Sequence, residues 1–115
     1  VLVCGSRGWS NAEAIRWRLA GLAAGSVVIS GGAAGADTLA DQAARELGLA
    51  SIVYRANWKR DGKRAGVLRN LLMLDSEPAL VIAFWDGTSP GTKHTIEEAR
   101  KRGIELEIWG PGEER

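Results

Sequence analysis

The chain has 115 residues, 45% of them hydrophobic and 25% charged, with a formal net charge of +1. Those values describe one small folded domain. They exclude a disulfide framework, since Cys4 is the single cysteine, and a membrane span, since no run approaches ~20 apolar residues; the near-neutral charge also argues against a strong general attraction to nucleic acid or membrane.

Residues 1–5 read as a short buried strand, which places Cys4 in a core and makes it an inert thiol. Val1 already belongs to that strand, so we expect a few residues upstream of it. Ser10 opens a helix, with Glu13 three positions on as a capping-box partner. Ile15, Leu19, Leu22 and Ala23 share one face of it, and Trp17 falls off that stripe toward solvent. Residues 26–30 read as a second strand. A helix follows over 36–47, buried through Leu39, Ala43 and Leu47 and ended by Gly48. Residues 50–56 form a third strand, and the basic segment 57–64 reads as a loop. A helix covers 65–74, and residues 79–85 form a strand with no polar alternation, as expected for one covered on both faces. The last helix spans 92–102 and stops at Gly103, 104–109 is a fifth strand, and a polar tail closes the chain. The domain is assigned to 1–110 and the tail to 111–115.

Strands alternating with helices specify a parallel α/β sheet with right-handed crossovers. The expected architecture is a Rossmann-like three-layer α/β/α fold with strand order 3-2-1-4-5. That order puts a ligand crevice between the first and fourth strands.

Three glycine-rich turns stand where a strand hands over to a helix. They are Gly5-Ser6-Arg7-Gly8, Ser30-Gly31-Gly32-Ala33-Ala34-Gly35-Ala36-Asp37 and Asp86-Gly87-Thr88-Ser89-Pro90-Gly91-Thr92. Glycine lets backbone N–H groups approach a ligand, and the helix that follows presents a positive end. Together the turns point to an anion, the phosphate of a nucleotide. The second turn has neither the dinucleotide G-x-G-x-x-G spacing nor a Walker lysine. Asp37, in the first turn of its helix, serves either the helix dipole or a ligand hydroxyl. Arg69, beside Asn70, follows the basic segment and suits a guanidinium grip on phosphate. Trp9, Trp58 and Trp85 lie at strand ends, where a ring either stacks on a base or packs as rim. His94 has no Cys/His/Asp cluster around it, so no metal site is expected, and no cofactor is called for.

Gly5-Ser6-Arg7, the Ser30–Asp37 turn, Arg69-Asn70-Leu71-Leu72-Met73-Leu74 and Phe84-Trp85-Asp86-Gly87 with Gly91-Thr92-Lys93-His94-Thr95 occur in that order. In this the chain resembles the YspA-type branch of the SLOG superfamily, which joins the DNA-processing SMF/DprA proteins with the "lonely guy" phosphoribohydrolases. The resemblance covers nearly the whole chain. It implies a Rossmann-like domain binding nucleotides or nucleotide-derived ligands through Gly5, Ser6, Arg7, Gly31, Gly32, Ala33, Gly35, Asp37, Arg69, Asn70, Asp86, Gly87, Gly91 and Thr92. The hydrolases of the superfamily cleave the N-glycosidic bond of nucleoside 5′-monophosphates with an arginine in R-K-x-x-M and a glutamate in P-G-G-x-G-T-x-x-E. Arg69 and Met73 match the first motif, with Asn70 at its lysine. Gly91-Thr92 matches the second, with Thr95 at its glutamate. An oxocarbenium-like transition state needs a nearby carboxylate, and Thr95 supplies none. Glu97 points elsewhere, and Glu98 lies nearly one helical turn on.

The leading expectation is a cytoplasmic nucleotide-binding domain, a sensor or carrier, whose partner is a nucleotide or nucleotide-derived small molecule. The second is a nucleoside 5′-monophosphate N-glycosidase using another carboxylate, with Arg69, Asp37, Asp86 and Glu98 as the catalytic candidates. The third is single-stranded DNA binding, against which the net charge speaks. A homodimer is compatible with all three.

Overall fold

The computed structural model describes residues 1–112. The end of the expected polar tail, 113–115, lies outside the described residues. Among the described residues eleven elements follow one another. They are β1 (Leu2–Gly5), α1 (Ala12–Ala20), β2 (Val27–Ser30), α2 (Ala36–Glu46), β3 (Ala50–Val53), α3 (Trp58–Asp61), a 3-10 turn (Gly62–Arg64), α4 (Ala65–Asp75), β4 (Leu80–Phe84), α5 (Pro90–Lys101) and β5 (Glu105–Trp109). The strands form one sheet in the order β3-β2-β1-β4-β5, every pair parallel. The alternation of strand and helix, legible from the sequence, therefore produces the expected Rossmann-like order.

Side chains of successive strand residues leave opposite faces of the sheet, and each face has its own helices. On one face Val3, Val28, Ile82 and Phe84 pack with Ile15 and Leu19 of α1 and with Ala36, Ala40, Ala43 and Ala44 of α2. On the other, Leu2, Cys4, Ile29, Val81 and Ala83 meet Met73 and Leu74 of α4 and Ile96 and Ala99 of α5. Full burial of a large aliphatic or aromatic side chain contributes roughly 1.5–3 kcal/mol, so the two layers together hold the sheet. The β4 strand reads apolar throughout because it is covered on both sides, with Val81, Ile82, Ala83 and Phe84 all fully buried. Cys4 is buried and unpaired, and burial pushes its thiol pKa well above the ordinary value.

Three local expectations are corrected. The cap of α1 is Asn11, whose Oδ1 accepts from the Ala14 N–H at 3.1 Å; Ser10 stands one residue outside. Asparagine caps at least as well as serine, and the Trp9 indole N–H bonds the Asn11 carbonyl at 3.0 Å, which fixes the entry to the helix. The helix also stops at Ala20, capped by Gly21. Leu22 still packs on the core from the following turn, while Ala23 is exposed. Second, the basic segment is ordered rather than a loop. Asn57 Oδ1 accepts from the Arg60 N–H at 3.0 Å and starts α3, and the 3-10 turn carries it into α4. A four-residue helix is too short to show an apolar period. Third, β3 ends at Val53 rather than at 56. The Tyr54 N–H makes the last bond to β2, at Ser30 O, 2.7 Å.

Trp17 is exposed, as its position off the α1 stripe implies, and its ring tilts toward Trp109. No helix among the described residues is long and apolar enough to cross a membrane.

Candidate functional site

Strand order reverses between β1 and β4. They pair through Gly5 and Phe84, yet β1 leads to α1 on one face and β4 to α5 on the other. The connections diverge there and leave a crevice at the strands' carboxyl ends. A cleft of about 380 Å³ opens at this point.

The first turn is the joint of the site. The Ser6 N–H donates to Phe84 O at 2.9 Å, and Ser6 Oγ accepts from the Asp86 N–H at 2.9 Å. Its carbonyl accepts from the N–H groups of Trp9 and Ala36 at 3.1 and 3.2 Å. Ser6 thus ties all three glycine-rich turns together, and it is buried beneath the cleft. Gly5 is required by the same crowding, since a Cβ there would sit 2.3 Å from Phe84 O. Arg7 comes next. It is exposed, lines the cleft and donates no hydrogen bond among the described residues.

The second turn closes on itself. Asp37 is buried, and its Oδ2 accepts from the Ala33 N–H at 3.3 Å. Burial pushes the Asp37 pKa up. The Ala33 N–H, the Arg69 guanidinium, the Gly31 N–H and the Arg7 guanidinium pull the other way, in that order. The loop's N–H groups therefore already face an anion, supplied by the chain. Gly35, at φ +77°, packs so tightly on the first turn that a Cβ would lie 2.2 Å from Arg7 O. Gly32 abuts Val53 instead. Of this turn, Ala33 and Asp37 reach the cleft, while Gly31, Gly32 and Gly35 do not line it.

The third turn divides in two. Asp86 Oδ1 accepts from the N–H groups of Thr88 and Ser89 at 2.8 and 2.9 Å, and both hydroxyls join it. Those N–H groups hold the Asp86 carboxyl far below the usual range. Asp86 and Gly87 lie outside the cleft; Asp86 borders a smaller hollow with Trp9 and Asn11. The second half belongs to α5. Pro90 is the first helical residue, where its lack of an N–H costs nothing. The Gly91 and Thr92 N–H groups bond no protein acceptor among the described residues, whereas that of Lys93 reaches Ser89 O. Gly91, Thr92 and Thr95 line the cleft, with Thr95 buried and its hydroxyl directed at Gly91 O, 3.3 Å.

The α4 side makes the opposite wall. Gly66, Arg69, Asn70 and Met73 share the cleft face of that helix, at i, i+3, i+4 and i+7. Arg69 Nη1 donates to Gly31 O and Nε donates to Asn70 Oδ1 at 2.8 Å, which leaves Nη2 unbonded among the described residues. Burial lowers the Arg69 pKa, and Asp37 opposes the shift, but a guanidinium remains charged at any ordinary pH. Trp58 and Lys63 complete the wall from the segment before α4.

The structure thus brings Gly5, Arg7, Ala33, Asp37, Arg69, Asn70, Gly91 and Thr92 to one cleft. Glu98 is not among its lining residues; it pairs with Arg102 and Lys101 at 3.7 and 3.6 Å. Asp37 is the one carboxylate among the described lining residues. Pro90 of the third turn lines the cleft too, and Cys4, Gly66 and Val67 join it without a sequence motif to mark them. The helical period from Arg69 back to Gly66 is the signal that could have found the glycine. A larger and shallower groove of about 540 Å³ lies between α1 and β5, but its charges, Arg18 and Glu107, are paired with each other at 2.6 Å.

Comparison with known proteins agrees with the fold. The DNA processing protein A (DprA) of Streptococcus pneumoniae superposes with a TM-score of 0.78 at 24% identity, over 93% of this chain and 49% of that one. The chain therefore spans about half the length of that protein, and the likeness is one of fold. The Gene 61 protein of Mycobacterium phage D29 is 40% identical over 119 residues, covering 96% of this chain and 95% of that protein. The YspA, cpYpsA-related SLOG family (YAcAr) matches residues 1–60, the part that holds the first two glycine-rich turns. The chain belongs to that family.

Proposed function

We propose that the cleft binds a nucleotide or a nucleotide-derived small molecule by its phosphate, and that the domain works as a sensor or carrier. The observation that carries this is the convergence of unspent donors. Arg7 and Lys63 make no hydrogen bond or ion pair among the described residues, Arg69 keeps Nη2, and the Gly91 and Thr92 N–H groups at the positive end of α5 have no acceptor. A phosphate suits such a set, because it offers several acceptors to donors arriving from different directions.

The test is calorimetry with nucleoside mono-, di- and cyclic phosphates against their dephosphorylated nucleosides. Arg7→Ala is the clean variant, since Arg7 is exposed and holds nothing else in place. Loss of a charge-assisted bond worth about 1.5–3 kcal/mol should weaken a phosphorylated ligand roughly tenfold or more, leaving the nucleoside and the melting temperature unchanged. Arg69→Ala should cost the same contact and also loosen the second turn, because Arg69 braces Gly31. Absence of binding across the whole nucleotide panel would sink the proposal.

A second reading rests on Asp37. It is the carboxylate of the cleft, and burial raises its pKa, as suits a group that exchanges protons near an N-glycosidic bond. The match of Thr95 to the family glutamate position argues for weak or absent cleavage. Chromatography for free base and ribose 5-phosphate decides. Turnover on the order of 1 per second that disappears in Asp37→Asn would establish the hydrolase.

A further inference from the structure

We infer that Trp58 is the platform on which the ligand's base stacks, and hence the residue by which the cleft prefers nucleotides to sugar phosphates; the inference rests on the phosphate reading above. Three tryptophans, Trp9, Trp58 and Trp85, follow strands in the sequence, and the structure separates them. Trp9 is 7% exposed, its ring packed against Phe84 at 5.4 Å between centroids and its indole N–H spent on Asn11 O. Trp85 is half-buried against the core, with its indole N–H on Ser89 O at 3.1 Å. Trp58 is 53% exposed and lines the cleft. Its indole N–H has no acceptor and its ring no aromatic partner among the described residues.

A large ring left half in water leaves apolar area for a ligand to cover. The backbone that carries the ring is part of a helix rather than a loop. Trp58 sits at the start of α3, behind the Asn57 cap, in a segment that runs without a break into α4. Gly66 shows how close the ring comes to the Arg69 guanidinium. A Cβ built on Gly66 would be 3.4 Å from Trp58 Cη2 and 3.8 Å from Arg69 Nη2. Ring and guanidinium therefore flank the same residue, and Lys63 lies in the turn that connects them. A planar heterocycle on the indole leaves its phosphate within the donor set of the cleft. Stacking tolerates any base, because each has a π-face.

The experiment is calorimetry on the full chain with the four ribonucleoside 5′-monophosphates and with ribose 5-phosphate, for wild type, Trp58→Ala and Trp58→Phe. In wild type the monophosphates should bind on the order of tenfold or more tighter than ribose 5-phosphate. Trp58→Ala should bring them down to its level without changing ribose 5-phosphate itself, and Trp58→Phe should keep most of the preference. An unchanged melting temperature shows that the fold is intact. Monophosphate binding that survives Trp58→Ala overturns the platform while leaving the phosphate site standing, and so does an equal loss for both probes. Wild type that binds none of the probes overturns the phosphate reading, and the platform with it.

Discussion

After β2, the backbone N–H groups of Gly31 and Ala33 face the Asp37 carboxylate; after β4, those of Gly91 and Thr92 line an open cleft with no acceptor among the described residues. Both segments are glycine-rich turns from a buried strand into a helix, and from sequence they look equivalent. The difference lies in where an internal anion sits. Asp37 stands in the first turn of α2 and folds back onto its own loop, so the Gly31 and Ala33 N–H groups are already taken by the chain. Asp86 does the same for Thr88 and Ser89 but sits four residues before Pro90 and leaves the helix end untouched. A backbone N–H in such a turn stays open to an external acceptor only where no neighbouring carboxylate reaches it first.

The comparison breaks most sharply at Gly35. Its φ of +77° and ψ of −126° belong to glycine, and a Cβ would lie 2.2 and 2.4 Å from the carbonyl oxygens of Arg7 and Ser6. Backbone atoms cannot swing aside as a side chain can. Gly35→Ala should therefore combine strain of about 1–3 kcal/mol with separation of the first two turns, and lower stability by more than about 2 kcal/mol in urea unfolding. Stability within about 0.5 kcal/mol of wild type would mean that the turns are not locked together as described.

Asp37→Asn sharpens the same contrast from the electrostatic side. Burial dominates the shift and raises the Asp37 pKa above its ordinary 3.8, so the folded state prefers the protonated acid. A carboxyl of this kind contributes its stability at low pH and loses it as pH rises from the ordinary value through the raised one. The amide has no such loss. Asp37→Asn should match wild type below pH 3.8 and exceed it increasingly above, reaching a constant advantage at neutral pH, as followed by melting temperature without ligand. An Asn variant less stable than wild type at pH 7 would show that the carboxylate's bonds to the turn outweigh its burial.

How much of this was legible beforehand depends on the range of the interaction. Strand alternation and apolar runs gave the sheet and its order, because local period and handed crossovers leave few alternatives. The family motifs gave Arg7, Arg69, Gly91 and Thr92 as neighbours of one cleft. They gave no hint that Ser6 is a buried joint, since its partners Phe84 and Asp86 are far along the chain. Spacing along the sequence left Asp86 and Glu98 as carboxylates of equal standing with Asp37, because it does not show which way a loop or a helix face turns. The short helix at Trp58 escaped notice since its cap, Asn57, precedes four residues without apolar rhythm.

Gly91→Ala carries the smallest effect on stability and bears most directly on the open turn. Gly91 is the second residue of α5, at a negative φ, and a Cβ there would meet no atom within 4 Å. Nothing in the fold therefore requires a glycine. Alanine is the better helix residue, and glycine in a helix interior is worse by roughly 0.5–1 kcal/mol, a bound that shrinks at the second position. Stability should stay within about 1 kcal/mol of wild type and on the favourable side. Gly91 lines the cleft and has open space over it, so on the proposed reading the added methyl should obstruct a phosphate that approaches the Gly91 and Thr92 N–H groups. Affinity for a nucleoside monophosphate should fall severalfold while the fold is unharmed, the reverse of what Gly35→Ala does. Calorimetry and urea unfolding on the same preparation separate the two quantities. If Gly91→Ala binds as wild type does, the phosphate lies on the side chains of Arg7, Lys63 and Arg69, and the end of α5 is open without being used.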